Sequence, residues 1–131
     1  MCLVTNSNIP LIAEEDIVVY KVLMHRNGKD YAPVVSDTVN LQSYIYKKGA
    51  NKARLKEDID LTWNGRTYAI GKGFLHAYTT NEEAEKSKTR WNCCGLTISH
   101  FVVKMIVPKG TKYFVSTEGT EICAKQLNWE D

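Results

Sequence analysis

Short runs of β-branched and aromatic residues, broken every few positions by Gly, Pro or Asn, set the rhythm of this chain. The segment Ile17-Val18-Val19-Tyr20-Lys21-Val22-Leu23-Met24 is apolar at nearly every position and too short for a typical helix, which predicts a strand buried on both faces. His25 to Lys29 breaks it. Tyr31-Ala32-Pro33 is then extended, because proline keeps the preceding residue out of the α region, and Val39 to Tyr46 supplies a weaker second strand. Asn64-Gly65 sits between Ile59-Asp60-Leu61-Thr62-Trp63 and Arg66-Thr67-Tyr68-Ala69-Ile70, and its tolerance of two positive φ angles predicts a tight type I′ hairpin. After a bend at Gly71-Lys72-Gly73, Phe74-Leu75-His76-Ala77-Tyr78 resumes as a strand. Thr80 followed by Glu83 has capping-box spacing, so a short helix starts there over Asn81 to Lys88, with acids early and lysines late.

Thr97 to Val107 carries apolar residues on both faces, as a central strand does. Turns at Pro108-Lys109-Gly110 and Glu118-Gly119 then make the C-terminal part a β meander. About seven strands with one or two short helices define an α+β fold, a mainly antiparallel twisted sheet or partial barrel. Residues 1–15 mix Asn6, Ser7, Asn8, Pro10, Glu14 and Glu15 without periodicity and read as an irregular N-terminal arm of a single domain over 1–131.

The length of 131 residues fits one such domain, with a core that needs neither disulfides nor metal. An apolar fraction of 44% with 24% charged residues excludes wholesale disorder. A net charge of +2 argues against general nucleic-acid binding. No stretch is apolar enough to cross a bilayer and no leader pattern opens the chain, so the reading is cytoplasmic with no membrane partner. Cys93 and Cys94 are adjacent and lack the spacer of a redox pair or zinc knuckle, and His25, His76 and His100 have no metal-ligand spacing, which leaves no metal site to expect.

Lys47 to Lys56 carries the densest positive charge and reads as a solvated loop, able to close on anionic groups through Lys47, Lys48, Lys52 and Arg54. Gly71 and Gly73 before His76 would let the backbone approach a ligand closely, which draws His76, Tyr78 and Thr79 into a candidate ligand site. Exposed aromatic rings would add stacking surfaces.

Met1-Cys2-Leu3, Ile12-Ala13 before Asp16 to Leu23, Gly73-Phe74-Leu75-His76-Ala77-Tyr78 and Val107-Pro108-Lys109-Gly110-Thr111-Lys112-Tyr113 resemble a family of small uncharacterised proteins of gut bacteria and their phages. The resemblance spans nearly the whole chain and implies a cytoplasmic protein, in the host cytoplasm if phage-encoded, but brings no activity. A fainter resemblance is to the ADP-ribosyltransferase superfamily. Val19-Tyr20-Lys21, then Phe74 to Thr80 with the helix after it, then Glu121 before Ile122 follow the order of its three motifs. That resemblance implies NAD as substrate, with Tyr20, Lys21, His76, Tyr78 and Glu121 in one cleft and the glutamate stabilising an oxocarbenium-like transition state. Lys21 stands where that family has arginine, and the two are not interchangeable at a planar fork.

The preferred reading is a non-enzymatic binding protein without a cofactor, recognising a nucleotide-like small molecule or a host protein, such as a defence protein. The alternative is the NAD-consuming enzyme. Self-association into a homo-oligomer through sheet edges is a third expectation.

Overall fold

The computed structural model describes residues 3–26, 30–33, 46–54, 56–71, 73–92 and 100–130. Among these the strands are β1 (Leu3–Thr5), β2 (Leu11–Ile12), β3 (Ile17–Arg26), β4 (Asp30–Pro33), β5 (Gly49–Lys52), β6 (Ile59–Leu61), β7 (Tyr68–Ile70), β8 (Leu75–Tyr78), β9 (His100–Val107), β10 (Lys112–Val115), β11 (Glu121–Ala124) and β12 (Gln126–Trp129). One helix, α1 (Asn81–Asn92), follows β8. The large antiparallel sheet runs β2-β10-β11-β8-β3-β9-β12-β5, with β4 also paired to β3. The small sheet runs β1-β7-β6. The large sheet is open, since β2 and β5 lie at opposite ends of the order and do not pair. The protein is thus sheet-dominated α+β, and among the described residues no helix is long and apolar enough to cross a membrane.

β3 is the spine. It pairs with β9 from Ile17↔Val107 to Met24↔His100 along one edge, while β8 at Tyr20↔Tyr78 and then β4 from Leu23↔Pro33 share the other. Because side chains alternate across a strand, β3 serves two cores. Val19 and Leu23 join Leu75, Ala77, Met105, Val107, Ile122 and Leu127 on one face. The opposite face carries Tyr20 and Val22 and is covered in two parts. Helix α1 lies over β3, β9 and β8, burying Ala84 and Ser87. The small sheet sits over β10 and β11, where Leu3 and Ile70 meet Phe74, Phe114 and Cys123. Phe74 and Phe114 meet edge to face with centroids 5.4 Å apart.

Local chemistry explains the element ends. Thr80 Oγ1 accepts from the Glu83 amide at 3.2 Å, which caps α1 as its spacing predicted. The β6–β7 connection differs from the expected two-residue type I′ turn. Gly65 N donates to Thr62 O and Thr62 N to Thr67 O, so the loop has four residues, Trp63 to Arg66, with Gly65 alone among the glycines of this loop at positive φ, 70°. The Asn64 carboxamide explains it: Oδ1 accepts from Arg66 N and Thr67 N and so holds the wider turn.

Two further expectations change. The N-terminal arm is not wholly irregular, because it supplies β1 to the small sheet and β2 to the large one. The solvated loop at 47–56 contains β5, an edge strand paired with β12. Asn51 makes that possible: fully buried, its Nδ2 donates to the carbonyls of Lys47, Gly49 and Leu127 and its Oδ1 accepts from Lys47 N. Apolar bulk was not needed to order this segment. The strand expected over Val39 to Tyr46 lies outside the described residues except Tyr46, which is buried.

Lys125 joins the two sheets at the junction of β11 and β12. Its amide donates to Lys112 O and its carbonyl accepts from Ala53 N. Its Nζ lies 2.9 Å from Gly73 O and 3.2 Å from Glu57 Oε1, and 5.1 Å from the Phe74 ring centre. Gly73 has φ 90°, and a Cβ there would stand 2.5 Å from Glu57 Cα. The close approach foreseen for a ligand is therefore made by the chain itself. Gly65→Ala meets nothing within 4 Å and costs about 1 kcal/mol from its backbone conformation, whereas Gly73→Ala costs about 3 kcal/mol or more. Urea denaturation of the two variants at constant m-value measures the difference.

Candidate functional site

The five residues that the transferase resemblance draws together do not form one cluster. Tyr20 faces Tyr78 across β3 and β8, and Tyr78 faces Glu121 across β8 and β11. Paired residues of antiparallel strands share a face, so these three stand in one row on the face that α1 covers over β3 and β8. Tyr78 donates its hydroxyl to Ser87 Oγ at 2.8 Å, which fixes the ring against the helix. Lys21 points to the opposite face. It is 5% exposed, donates from Nζ to the His76 carbonyl, and lies 5.1 Å from the centre of the Tyr46 ring.

His76 shares the face of the tyrosine row but lies under the small sheet, 1% exposed. Its register partner is Cys123, itself opposite Phe114 in the apolar cluster between the sheets. Nε2 is 3.0 Å from Gly71 O, and because a carbonyl only accepts, Nε2 carries the hydrogen. The imidazole thus ties β8 to the end of β7. The expected ligand-facing place for His76 is corrected: a side chain sealed between two sheets meets no solute. Lys21, likewise, reaches a backbone carbonyl and an aromatic face inside the core rather than a planar group in a cleft.

Thr79 also acts within the fold, donating from Oγ1 to Gly119 O at 2.7 Å. Lys47, Lys48, Lys52 and Arg54 are exposed along and beside β5, at the end of the sheet. Lys48 Nζ is 5.7 Å from the centre of the Trp129 ring. This basic edge and His76 belong to separate regions, with β9 and β12 between β5 and the strands that carry Tyr20 and His76. Among the described residues no group of three or more His, Cys, Asp or Glu is placed to hold a metal ion. Cys93 and Cys94 lie outside the described residues.

A different surface has the form of a site. Leu11, Ile12, Ile17, Val18 and Tyr113 line a groove of about 650 Å³ at the β2 end of the large sheet, bordered by Glu14, Glu15 and Asp16. Leu11 and Ile12 are 54% and 52% exposed and Val18 40%, so an apolar floor faces solvent. Backbone bonds set this shape. Ala13 N donates to Thr111 O and Gly110 N to Ala13 O, while Asp16 Oδ1 accepts from Lys109 N at 2.9 Å. The 13–16 segment is thereby held against the β9–β10 turn with its carboxylates beside the apolar floor. The sequence reading passed over this site because Leu11-Ile12 is too short to register as a strand. The available signal was the apolar run Leu11-Ile12-Ala13 followed at once by Glu14-Glu15-Asp16.

Comparison of the chain with family models, with curated proteins and with solved structures finds no match. The geometry alone therefore carries the assignment of roles. Lys21→Met keeps most of the stem but removes the donor to His76 O, and lowers stability by about 1–3 kcal/mol. Tyr78→Phe, which removes one partly buried hydroxyl bond, lowers it by about 1 kcal/mol. Thermal and urea unfolding check both values; a Lys21→Met variant as stable as the parent would contradict the structural role.

Proposed function

We propose that this chain is a non-enzymatic binding protein whose partner is a protein segment presenting apolar and basic side chains. The observation that carries this reading is the groove at the β2 end, an exposed apolar floor beside three carboxylates. Among the described residues β2 ends the order of the large sheet and pairs with β10 alone, so its outer backbone groups are placed to receive a further strand. Side chains of an added strand alternate between its two faces, so apolar ones meet Leu11 on one face and Ile12 on the other, and basic ones approach Glu14, Glu15 and Asp16. The resemblance to small proteins of gut bacteria and their phages makes a host protein, including a defence protein, the natural source of such a segment. A nucleotide-like ligand has less support, because the basic edge at β5 is far in strand order from the buried His76.

Fluorescence anisotropy tests this with a short labelled peptide alternating Val and Lys and a twin alternating Val and Glu. The basic peptide binds and weakens as salt rises, and the acidic twin does not bind. The double variant Glu14→Lys, Glu15→Lys weakens the basic peptide by about tenfold or more while keeping the fold. Equal binding of both peptides would refute the reading.

The row Tyr20, Tyr78, Glu121 favours the second reading, an ADP-ribosyltransferase-like enzyme consuming NAD. Against it stands Lys21 on the reverse face. Nicotinamide release from NAD, sustained in the parent and absent in Glu121→Gln, would establish this reading and displace the first.

A further inference from the structure

The β6–β7 hairpin carries the most exposed large apolar side chain described. Trp63 is 98% exposed and Leu61, two residues before it, 58%. An indole left in water on a floppy loop would need no explanation, but this loop is fixed. Beyond the two backbone bonds that close it, Asn64 Oδ1 accepts from Thr62 Oγ1 at 2.8 Å and from Arg66 N at 2.8 Å, and the hydroxyls of Thr62 and Thr67 lie 2.7 Å apart. The base of the hairpin is rooted in the core through Ile70, Ile59 and Tyr68. A large aromatic held on a rigid projection loses little conformational freedom when it docks, which is what an interface anchor requires.

The chemistry of this projection matches the groove at the β2 end of the large sheet. Trp63 and Leu61 are apolar and Arg66 adds a positive charge at the tip, with Asp60 set lower on β6. The groove offers an apolar floor and Glu14, Glu15 and Asp16, and its volume of about 650 Å³ exceeds what one indole fills. Lys112, cross-strand from Ile12, leaves the segment 14–16 as the acidic side. We propose that the Trp63 hairpin of one copy inserts into the β2-end groove of a second copy, with Arg66 towards the carboxylates. This rests on reading the groove as a docking site for apolar and basic groups. Each copy keeps one projection and one groove, so the contact is heterologous and extends into a ring or a chain of copies. Occupied in this way, the groove is closed to other partners, and self-association competes with capture of a foreign segment.

Sedimentation velocity over a concentration series tests the contact through two variants and their mixture. The parent associates as concentration rises, and Trp63→Ala weakens association by about thirtyfold or more, as loss of an aromatic anchor does. Leu11→Glu, on the groove floor and exposed, does the same from the other side. Each variant alone is monomeric, yet each retains one intact half of the contact, so an equimolar mixture forms a one-to-one dimer that grows no further. Circular dichroism confirms that both variants are folded. A parent that stays monomeric at the highest concentration, a Trp63→Ala variant that associates like the parent, or a mixture that does not dimerise overturns the proposal. If the basic peptide still binds the monomer in any of those cases, the groove reading survives and only the self-association fails.

Discussion

Where β8 leaves the edge of β3 and β4 takes its place, the His76 carbonyl passes beyond the last β3–β8 pair, and a buried carbonyl without a donor costs about 1–3 kcal/mol. The Lys21 ammonium supplies the donor from the face opposite the histidine ring and rests against Tyr46 as it does so. That bond lets one strand serve two layers. With β8 held at the divergence, the His76 imidazole turns under the small sheet to Gly71, and Tyr78, one alternation further on, meets Ser87 of α1. A strand free to slip by one residue there would exchange these two faces and empty both cores.

The buried side chains of Lys21, Asn51 and His76 accordingly bond the protein's own backbone. The two ends of the open sheet differ in character. β5 presents Lys48 and Lys52 on an edge pinned by a buried asparagine, an arrangement that discourages indiscriminate strand pairing. β2 is short and bordered by acids, with apolar side chains in solvent. The two ends of the sheet thus carry opposite charge, basic beside β5 and acidic beside β2.

How far the sequence predicted this arrangement depended on the kind of signal each element carries. Periodicity and composition placed β3, β8 and the C-terminal meander, because their apolar content is sustained over several residues, while capping-box spacing and the order of charges placed α1. The hairpin was evident from Asn64-Gly65, but its loop size was not: a side-chain carboxamide decided it. β5 was missed for a similar reason, since Gly49-Ala50-Asn51-Lys52 holds no core-forming bulk and one asparagine's hydrogen bonds replace it. The tyrosines and Glu121 were grouped by the order of the transferase motifs, and strand register sets them in one row. Lys21 was drawn into the same cleft by the resemblance of Val19-Tyr20-Lys21 to the first transferase motif, yet neighbours in a strand point apart. His76 could not have been placed from sequence, because its burial depends on the small sheet, built from segments more than fifty positions apart.

The junction at Lys125 has a thermodynamic implication for the molecule as a whole. One residue receives backbone bonds from the β5 and β10 neighbourhoods and, through its side chain, grips the bend that leads from the small sheet into β8. Three strands too short to persist alone are thereby stitched into the larger lattice, and the layer cannot peel off while that lattice stands. The small layer is coupled to the larger lattice through one side chain, and the projecting tryptophan rides on that coupled layer.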